Sequence, residues 1–380
     1  MPPIRLSRLR KLLREKGLDG IIVSHRDNLA YLIGIHQAHP TAREALLFIT
    51  LEKAALYHSI FLTPPPSSWV TPIPMNEANS LPRVLTQTFY QSAHLAIEAH
   101  NLTVAEFKRM ETALPHLKFS LTNDLVETLR LVKDTTELKS IAKASQITAQ
   151  TMSWVEDLLR GDLKHNLVLS NLTELSLSRL IEAKFYELGA EGSAFPPIVA
   201  FDKNSALPHH HPDQTFLKPD SVVLLDFGCQ VGGYASDMSR TFCLGPPPPH
   251  FTQIEAVVQS AYFAAISYLR HHFTVTELTT GDIKHPGGDE KRQRLVSPGV
   301  DVITAASLDH AVRSVIEKAD FGKNFIHTSG HGLGLEIHEA PSLSSKNPQA
   351  LKPGMVLALE PGIYLPGKFG YRYENTLHLD

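Results

Sequence analysis

Four acidic side chains in the C-terminal half of the chain lie next to apolar or glycine-rich segments. Asp226 and Glu360 each follow directly on an apolar run, and Asp237 and Glu374 lie in similar strand contexts. Apolar runs of this kind are typical of buried strands, where an ionised carboxylate without a partner is costly. If the four carboxylates converge, about two divalent cations are needed to offset their repulsion. The pattern therefore favours a dinuclear metal site over separate ion pairs.

Histidines accompany these acids in the same half of the chain. His327 and His331 belong to the segment His-Thr-Ser-Gly-His, His338 follows seven residues after His331, and His209 opens a run of three histidines. Oxygen ligands with one imidazole and no thiolate pattern are typical of a Mn²⁺, Co²⁺ or Zn²⁺ hydrolase site. Taken singly, each of these side chains is better explained as a turn, cap or polar loop residue. Their joint occurrence favours the metal site.

The elements that must position these residues belong to the second of two predicted domains. Alternating helical and extended patterns predict an α/β domain over residues 1–125. Its predicted strands are 20–23, 45–50, 54–57, 95–98 and 117–121, and its predicted helices are 80–88 and 103–114. Leu6, Leu9 and Leu13 share one face of a basic N-terminal helix, a pattern that a transit peptide also shows. The buried strand predicted directly afterwards, over 20–23, favours a helix docked on its own domain.

The second predicted domain covers residues 126–380. A stretch without Gly or Pro over 125–159 predicts a long helical connection into it, and the domain's first helix is predicted over 137–159. Further helices are predicted over 173–188, 253–269 and 305–318, with strands and loops from residue 196 onward. The polar segment 271–295 is interpreted as a solvated loop.

Composition excludes several classes of protein. The chain has 380 residues, 43% of them hydrophobic and 20% charged, and a formal net charge of −3. These values indicate two folded domains and exclude wholesale disorder, and they leave no electrostatic footprint for nucleic acid or an anionic membrane. Two cysteines cannot form a disulfide framework or a thiolate zinc site, so a cytoplasmic location is expected.

The motifs together resemble one family, the pita-bread metallopeptidases, and within it the Xaa-Pro dipeptidases (prolidases) and aminopeptidase P. The resemblance is carried by the spacings of eleven residues from Asp226 to Asp237, seven from His331 to His338 and fourteen from Glu360 to Glu374. Near the N-terminus, the segment Asn-Leu-Ala-Tyr-Leu-Ile-Gly over 28–34 resembles the creatinase-type N-terminal domain. The fold implied is an α/β creatinase-like N-terminal domain followed by an α+β pita-bread catalytic domain.

The resemblance implies a site for two divalent metal ions, Mn²⁺ or Co²⁺, with Zn²⁺ as an alternative. Asp226 would bind one ion with both oxygens. Asp237 and Glu374 would bridge the pair, and His331 and Glu360 would complete the second site.

The family's chemistry implies roles for the remaining residues. A metal-bridging hydroxide would be the nucleophile, and Glu360 would accept its proton. His338 would donate a hydrogen bond to the developing oxyanion or the leaving nitrogen. His209 and His327 would position substrate and shuttle protons, and Arg372 would orient a bridging carboxylate.

The expected function is hydrolysis of the peptide bond preceding proline in Xaa-Pro dipeptides, by a cytoplasmic homodimer. An aminopeptidase P acting on longer peptides stays open as an alternative. A creatinase-like hydrolase without metal and a non-catalytic scaffold on the same fold are disfavoured by the retained ligand set. Two departures from the family pattern, Ser239 for Thr and Asn375 for a second acid, remove none of the ligands.

Overall fold

The chain folds into two compact units, Met1–Arg130 and Leu131–Asp380. The computed structural model describes residues 3–36, 42–89, 93–162, 171–279 and 302–380. Within these ranges, no helix has the length and apolar character needed to cross a membrane.

The first unit is built on a six-stranded mixed sheet with helices between the strands. The strand order is β4-β3-β2-β1-β5-β6, and the pairs β1–β5, β5–β6 and β3–β4 are parallel. The strands are β1 (Gly20–Val23), β2 (Ala45–Thr50), β3 (Ala54–His58), β4 (Thr71–Pro74), β5 (His94–Glu98) and β6 (Lys118–Thr122). The helices are α1 (Pro3–Glu15), α2 (Arg26–Ile33), α3 (Leu81–Thr88), α4 (Val104–Ala113) and α5 (Glu127–Arg130).

Position in the sheet follows residue type. Strands β1, β2 and β3 are almost wholly buried and consist mainly of apolar residues. The edge strand β4 contains two prolines and is largely exposed, as expected where proline cannot donate a ladder hydrogen bond. Helix α4 begins at a capping box in which Thr103 and Glu106 satisfy each other's backbone amides.

The helix predicted over 137–159 is confirmed and lies within the long helix α6 (Thr135–Asp162), but the helical stretch predicted from residue 125 is interrupted between α5 and α6. Asp134 caps α6: its Oδ1 accepts from the amides of Thr136 and Glu137, and the Glu137 carboxylate accepts from the Asp134 amide. The preceding Lys133 amide donates to the Gly354 carbonyl. An Asp-x-x-Glu capping box and a tertiary contact therefore set the break without Gly or Pro.

In the described part of the second unit, helices pack against four small sheets. Its remaining helices are α7 (Glu174–Glu187), α8 (Phe251–Arg270) and α9 (Ala305–Lys318). Its strands are β7 (Gly192–Ser193), β8 (Ile198–Phe201), β9 (Val222–Phe227), β10 (Cys229–Val231), β11 (Tyr234–Ala235), β12 (Met238–Cys243), β13 (Val275–Glu277), β14 (Gly330–Gly332), β15 (Glu339–Ser342), β16 (Val356–Leu359), β17 (Gly362–Leu365), β18 (Phe369–Arg372) and β19 (Asn375–Leu379).

Two of these sheets carry the site described below. One has the order β12-β9-β8 and the other β13-β19-β16-β14-β15. The first packs with α6 and α7 around one apolar cluster, and the second packs with α8 and α9 around another. Each sheet therefore shares a buried apolar cluster with two helices.

The interpretation of 271–295 as a solvated loop is wrong for part of that segment. Residues 275–277 form β13, which pairs antiparallel with β19, and Thr279 is fully buried. Val275 and Thr276 suit a strand, but a three-residue strand is too short for its periodicity to be read from sequence. The rest of the segment, from residue 280, lies outside the described residues.

Candidate active site

The first sheet supplies two of the four acids. Asp226 is the fifth residue of the wholly buried strand β9, and Asp237 immediately precedes β12. These strands pair antiparallel with Asp226 opposite Ser239, so the two acids lie at the same end of the pair. Both side chains are buried, at 8% and 5% exposure.

The second sheet supplies the other two acids and the imidazole. His331 is central in β14 and lies opposite Ala358 of β16, Glu360 follows β16, and Glu374 immediately precedes β19. The Glu374 amide donates to the Ser239 carbonyl at 3.1 Å, which joins the two sheets at the site.

The structure brings these residues together. His331 Nε2 lies 3.6 Å from Asp237 Oδ2 and 3.9 Å from Glu360 Oε1. One potential ligand atom each from Asp237, His331 and Glu374 lies within 4.8 Å of the others. Asp226 Oδ1, Asp237 Oδ1 and Glu374 Oε1 are buried and have no hydrogen-bond partner. Buried carboxylate oxygens in this state fit a divalent cation, which would satisfy them.

The acids make each other harder to ionise. Burial raises the pKa of Asp237 well above its usual value, and the charges of Glu374, Asp226 and Glu360 raise it further. The pKa of Glu360 is also raised, by burial and then by Glu374. Burial and the Asp226 charge raise the pKa of Glu374 to about 8. Positive charge is needed here for all of them to be ionised at neutral pH.

His331 is oriented as a ligand. Its Nδ1 lies 3.0 Å from the Gly332 carbonyl, which can only accept, so Nδ1 carries the proton and Nε2 presents a lone pair to the acids. Burial lowers the pKa of His331 to about 3, with the neighbouring His338 as the next cause. The ring is therefore neutral at pH 7, as a metal ligand must be.

Arg372 lies behind the acids and is 2% exposed. The sequence predicts that it orients a bridging carboxylate, but its direct ionic partner is Asp226. It reaches Glu374 through Ser239, whose hydroxyl accepts from Arg372 Nε at 3.0 Å and donates to Glu374 Oε2 at 2.6 Å. Serine thus supplies the hydroxyl that threonine offers in the family pattern.

Tyr364 is a site residue that sequence reasoning missed. Its hydroxyl accepts from Arg372 Nη1 at 2.9 Å and donates to His327 Nε2, also at 2.9 Å. Burial raises the pKa of Tyr364 to about 12, so the phenol keeps its proton. Lying within the apolar strand β17, this tyrosine is indistinguishable in sequence from a core residue.

Both ring nitrogens of His327 are engaged. Nδ1 donates to the Thr328 carbonyl at 2.7 Å, and Nε2 accepts from Tyr364. Burial, followed by the charge of Arg372, lowers the pKa of His327 to about 4. His327 is therefore bonded to the network around Arg372, and its role in positioning substrate and shuttling protons stays a prediction.

A cavity of about 490 Å³ opens beside the acids. Its lining includes His209, His327, His331, His338, Glu360 and Arg372. His209 and His338 are exposed, and the His338 ring lies edge-on to that of His331 with a centroid separation of 4.4 Å. Burial lowers the pKa of His338, so this imidazole is also predominantly neutral near pH 7. All nine predicted site residues thus lie in or directly beside one cavity.

Comparison with known families matches nearly the whole chain. The Metallopeptidase family M24 model matches residues 139–281 and 290–380, and the Creatinase/Prolidase N-terminal domain model matches residues 5–132. The chain belongs to metallopeptidase family M24. It is therefore a hydrolase of the peptidase class, in the branch of the family that contains Xaa-Pro dipeptidases, and has the pita-bread fold.

Individual relatives agree with this assignment. The chain is 32% identical to the Xaa-Pro dipeptidase of Lactobacillus delbrueckii subsp. lactis over 282 residues, covering 74% of this chain and 66% of that protein. It is 27% identical to the peptidase YqhT of Bacillus subtilis (strain 168) over 98% of this chain and 94% of that protein. Among solved structures, the Xaa-Pro dipeptidase from Bacillus anthracis superposes with a TM-score of 0.80 at 25% identity, covering 99% and 94% of the two chains. Membership of M24 implies divalent metal ions and peptide substrates.

Proposed function

We propose that this chain is a dinuclear metallodipeptidase that hydrolyses the bond preceding proline in Xaa-Pro dipeptides. The observation that carries the proposal is the set of buried carboxylate oxygens without partners beside the neutral imidazole of His331. The Xaa-Pro dipeptidases among the relatives support the choice of substrate.

The residues that would hold the ions are the four clustered acids and the imidazole beside them. They are Asp226, Asp237, His331, Glu360 and Glu374. Two divalent cations would offset the charge of the four acids, and oxygen ligands with one imidazole suit Mn²⁺ or Co²⁺, with Zn²⁺ as an alternative. When bound, such ions polarise the scissile carbonyl and lower the pKa of water.

The chain's own residues would then handle protons and substrate. Glu360, with 18% of its side chain exposed toward the cavity, is placed to accept a proton from the attacking water. His338 lines the same cavity and would donate a hydrogen bond to the developing oxyanion or the leaving nitrogen. His209 would hold the substrate at the exposed side, and the Arg372–Tyr364–His327 network would keep Asp226 in place.

Proline makes a recessed site of this kind useful. The nitrogen of an Xaa-Pro bond carries no hydrogen, and its ring excludes the extended hydrogen-bonded binding that general peptidases use. A cavity whose polar groups act on the carbonyl and the leaving nitrogen does not need that hydrogen. The alternative, an aminopeptidase P acting on longer peptides, uses the same chemistry and differs in how the site closes beyond the proline.

The test is hydrolysis of Ala-Pro and Ala-Pro-Ala by protein loaded with Mn²⁺, with a chelated sample as the control. We expect Ala-Pro to be cleaved much faster than Ala-Pro-Ala and chelation to abolish both activities. Preference for Ala-Pro-Ala would favour the aminopeptidase alternative. Cleavage of neither peptide by protein with two bound ions would contradict the proposed substrate class.

The remaining parts of the proposal are the homodimer and the cytoplasmic location. The dimer rests on the family resemblance, and the location on cysteines that form no disulfide. Sedimentation at assay concentration tests the dimer, and an active species with the mass of one chain would contradict it.

A further inference from the structure

Glu174 is a fully buried carboxylate outside the metal site. It is the first residue of α7, with 0% exposure, and follows the N-cap residue Thr173. Its two oxygens accept four hydrogen bonds, which saturates the acceptor positions of a carboxylate. A buried carboxylate with all its acceptor positions filled holds its hydrogen-bond donors firmly in place.

All four donors belong to the segment 201–213. Oε1 accepts from the Phe201 amide at 2.7 Å and the Asn204 side chain at 3.0 Å. Oε2 accepts from His210 Nε2 at 2.7 Å and the Asp213 amide at 3.1 Å. Glu174 therefore ties together both ends of this segment and two points between them.

The same segment carries His209 to the cavity. Pro208 and His209 line the cavity, and the Pro208 carbonyl accepts from Arg372 Nη1 at 3.1 Å. His209 is exposed, while its neighbour His210 is 9% exposed and bonded to Glu174. Of these adjacent histidines, His210 therefore binds Glu174 and His209 lines the cavity.

We propose that Glu174 is a positioning residue that holds His209 in place for substrate, acting through His210 and the backbone of 201–213. This proposal rests on the proposed function, because it assigns the substrate-facing role to His209. A misplacement of about 1 Å in a group that positions substrate can cost roughly 100-fold in rate. Small shifts of this segment are therefore expected to be visible in kinetics.

Glu174→Gln is the informative substitution. The amide has the same shape, but its NH₂ group must replace one of the two oxygens. In either orientation that NH₂ faces a backbone amide that also donates, Phe201 on one side or Asp213 on the other. We expect kcat/KM for Ala-Pro to fall roughly 10- to 100-fold, chiefly through KM, with bound metal unchanged. Glu187→Gln, on the exposed end of the same helix, is the matched control and should behave as wild type.

A double-mutant cycle separates positioning from general destabilisation. If Glu174 acts through His209, then Glu174→Gln adds nothing to the loss caused by His209→Ala. Independent, additive losses would overturn the proposal, and so would a His209→Ala variant with wild-type kinetics.

A second measurement does not depend on activity. Hydrogen exchange of the peptide spanning 201–213 in the metal-loaded protein should be faster in Glu174→Gln than in wild type or Glu187→Gln. Unchanged exchange would overturn the proposal. If wild type cleaves no proline peptide, the proposed function fails, and this exchange result still decides whether Glu174 anchors the segment.

Discussion

Asp237 interacts with His331 and with the charges of all three other acids of the site. It is buried, its carboxylate lies 3.6 Å from His331, and the charges of three other acids raise its pKa. A side chain in this position is costly without cations, and its presence is explained by the ions that it would share. Its removal should therefore affect metal binding more than folding.

Asp237→Ala is expected to abolish peptidase activity and leave the fold intact. Loss of an outer partner of a metal ligand typically costs 10- to 100-fold, so loss of a shared ligand should cost at least about 100-fold. Bound metal, measured by atomic emission, should fall below two ions per chain. Asp220→Ala removes an exposed acid from the same unit and serves as the control. Undiminished turnover in Asp237→Ala would contradict the mechanism.

His338→Ala should separate catalysis from metal binding. The His338 ring contacts His331 and lines the cavity, and it is proposed to act on substrate. We expect turnover of Ala-Pro to fall by about 100-fold or more, the usual contribution of one hydrogen-bond donor to a developing oxyanion, with two ions still bound. Loss of metal in this variant would mean that His338 is a ligand and that its assigned role is wrong.

The close approach of strands β14 and β16 positions His331 at the site. Gly330 has φ of +152°, and a Cβ placed there would lie 2.0 Å from the Ala358 carbonyl oxygen in β16. Only glycine lets β14 approach β16 this closely one residue before His331. The distance from His331 to the carboxylates therefore depends on this contact.

Gly330→Ala is expected to destabilise the second unit by at least about 2 kcal/mol, since backbone must move. For a unit of this size, that corresponds to a fall of about 4–8 °C in Tm, together with weaker metal binding. Gly161→Ala is the control, because Gly161 is helical and a Cβ there meets nothing within 4 Å. Equal Tm values for the two variants would contradict this account of the strand contact.

Most elements were predictable where periodicity is strong, and helix 305–318 and strand 45–50 match the structure residue for residue. The break before α6 was missed because it is made by a capping box and a tertiary contact rather than by Gly or Pro. Strand β13 was missed because its identity depends on pairing with β19. Local sequence pattern therefore predicts periodic helices and strands, but it does not predict tertiary contacts or strand pairing.

The candidate site was predictable in its residues but not in its connections. Residue type and position after buried strands pointed to the acids, and the family resemblance supplied the full set of acids and histidines that the structure brings together. The contact of Arg372 with Asp226 and the hydrogen bond between Tyr364 and His327 were not predictable. Both depend on how separate strands meet. The contacts of Glu174 were not predictable for the same reason, since a Thr-Glu pair at the start of a helix is typical of an ordinary N-cap.

The acid cluster couples metal binding to the stability of the folded chain. The pKa of Glu374 is raised to about 8, and the pKa values of Asp237 and Glu360 are raised as well, by burial and by neighbouring carboxylates. Acids with raised pKa values bind protons more tightly in the folded chain than in the unfolded one. Stability without metal must then fall as the pH rises toward the folded pKa values.

The histidines change the folding stability in the opposite direction, but at lower pH. His327 and His331 have pKa values lowered to about 4 and about 3, from an ordinary value of 6.5. They remain neutral in the folded chain, so their effect is a loss of stability as the pH falls below about 6.5. Between about pH 7 and 8.5, the change of folding stability with pH is therefore determined by the acids.

Chelated protein should therefore have a lower Tm at pH 8.5 than at pH 7, by circular dichroism. Each additional proton bound in the folded state contributes about 1.4 kcal/mol per pH unit. Glu374→Gln should reduce this pH dependence, and Mn²⁺ should remove most of it in wild type by replacing protons with cations. A chelated wild type as pH-dependent as Glu374→Gln would contradict the electrostatic account.

The most direct measurement is anomalous diffraction from crystals of the Mn²⁺-loaded protein. We expect two anomalous peaks in the second unit, each within coordination distance of side chains from the set Asp226, Asp237, His331, Glu360 and Glu374. A single peak, or peaks bound by other residues while these carboxylates stay unligated, would contradict the proposed metal site.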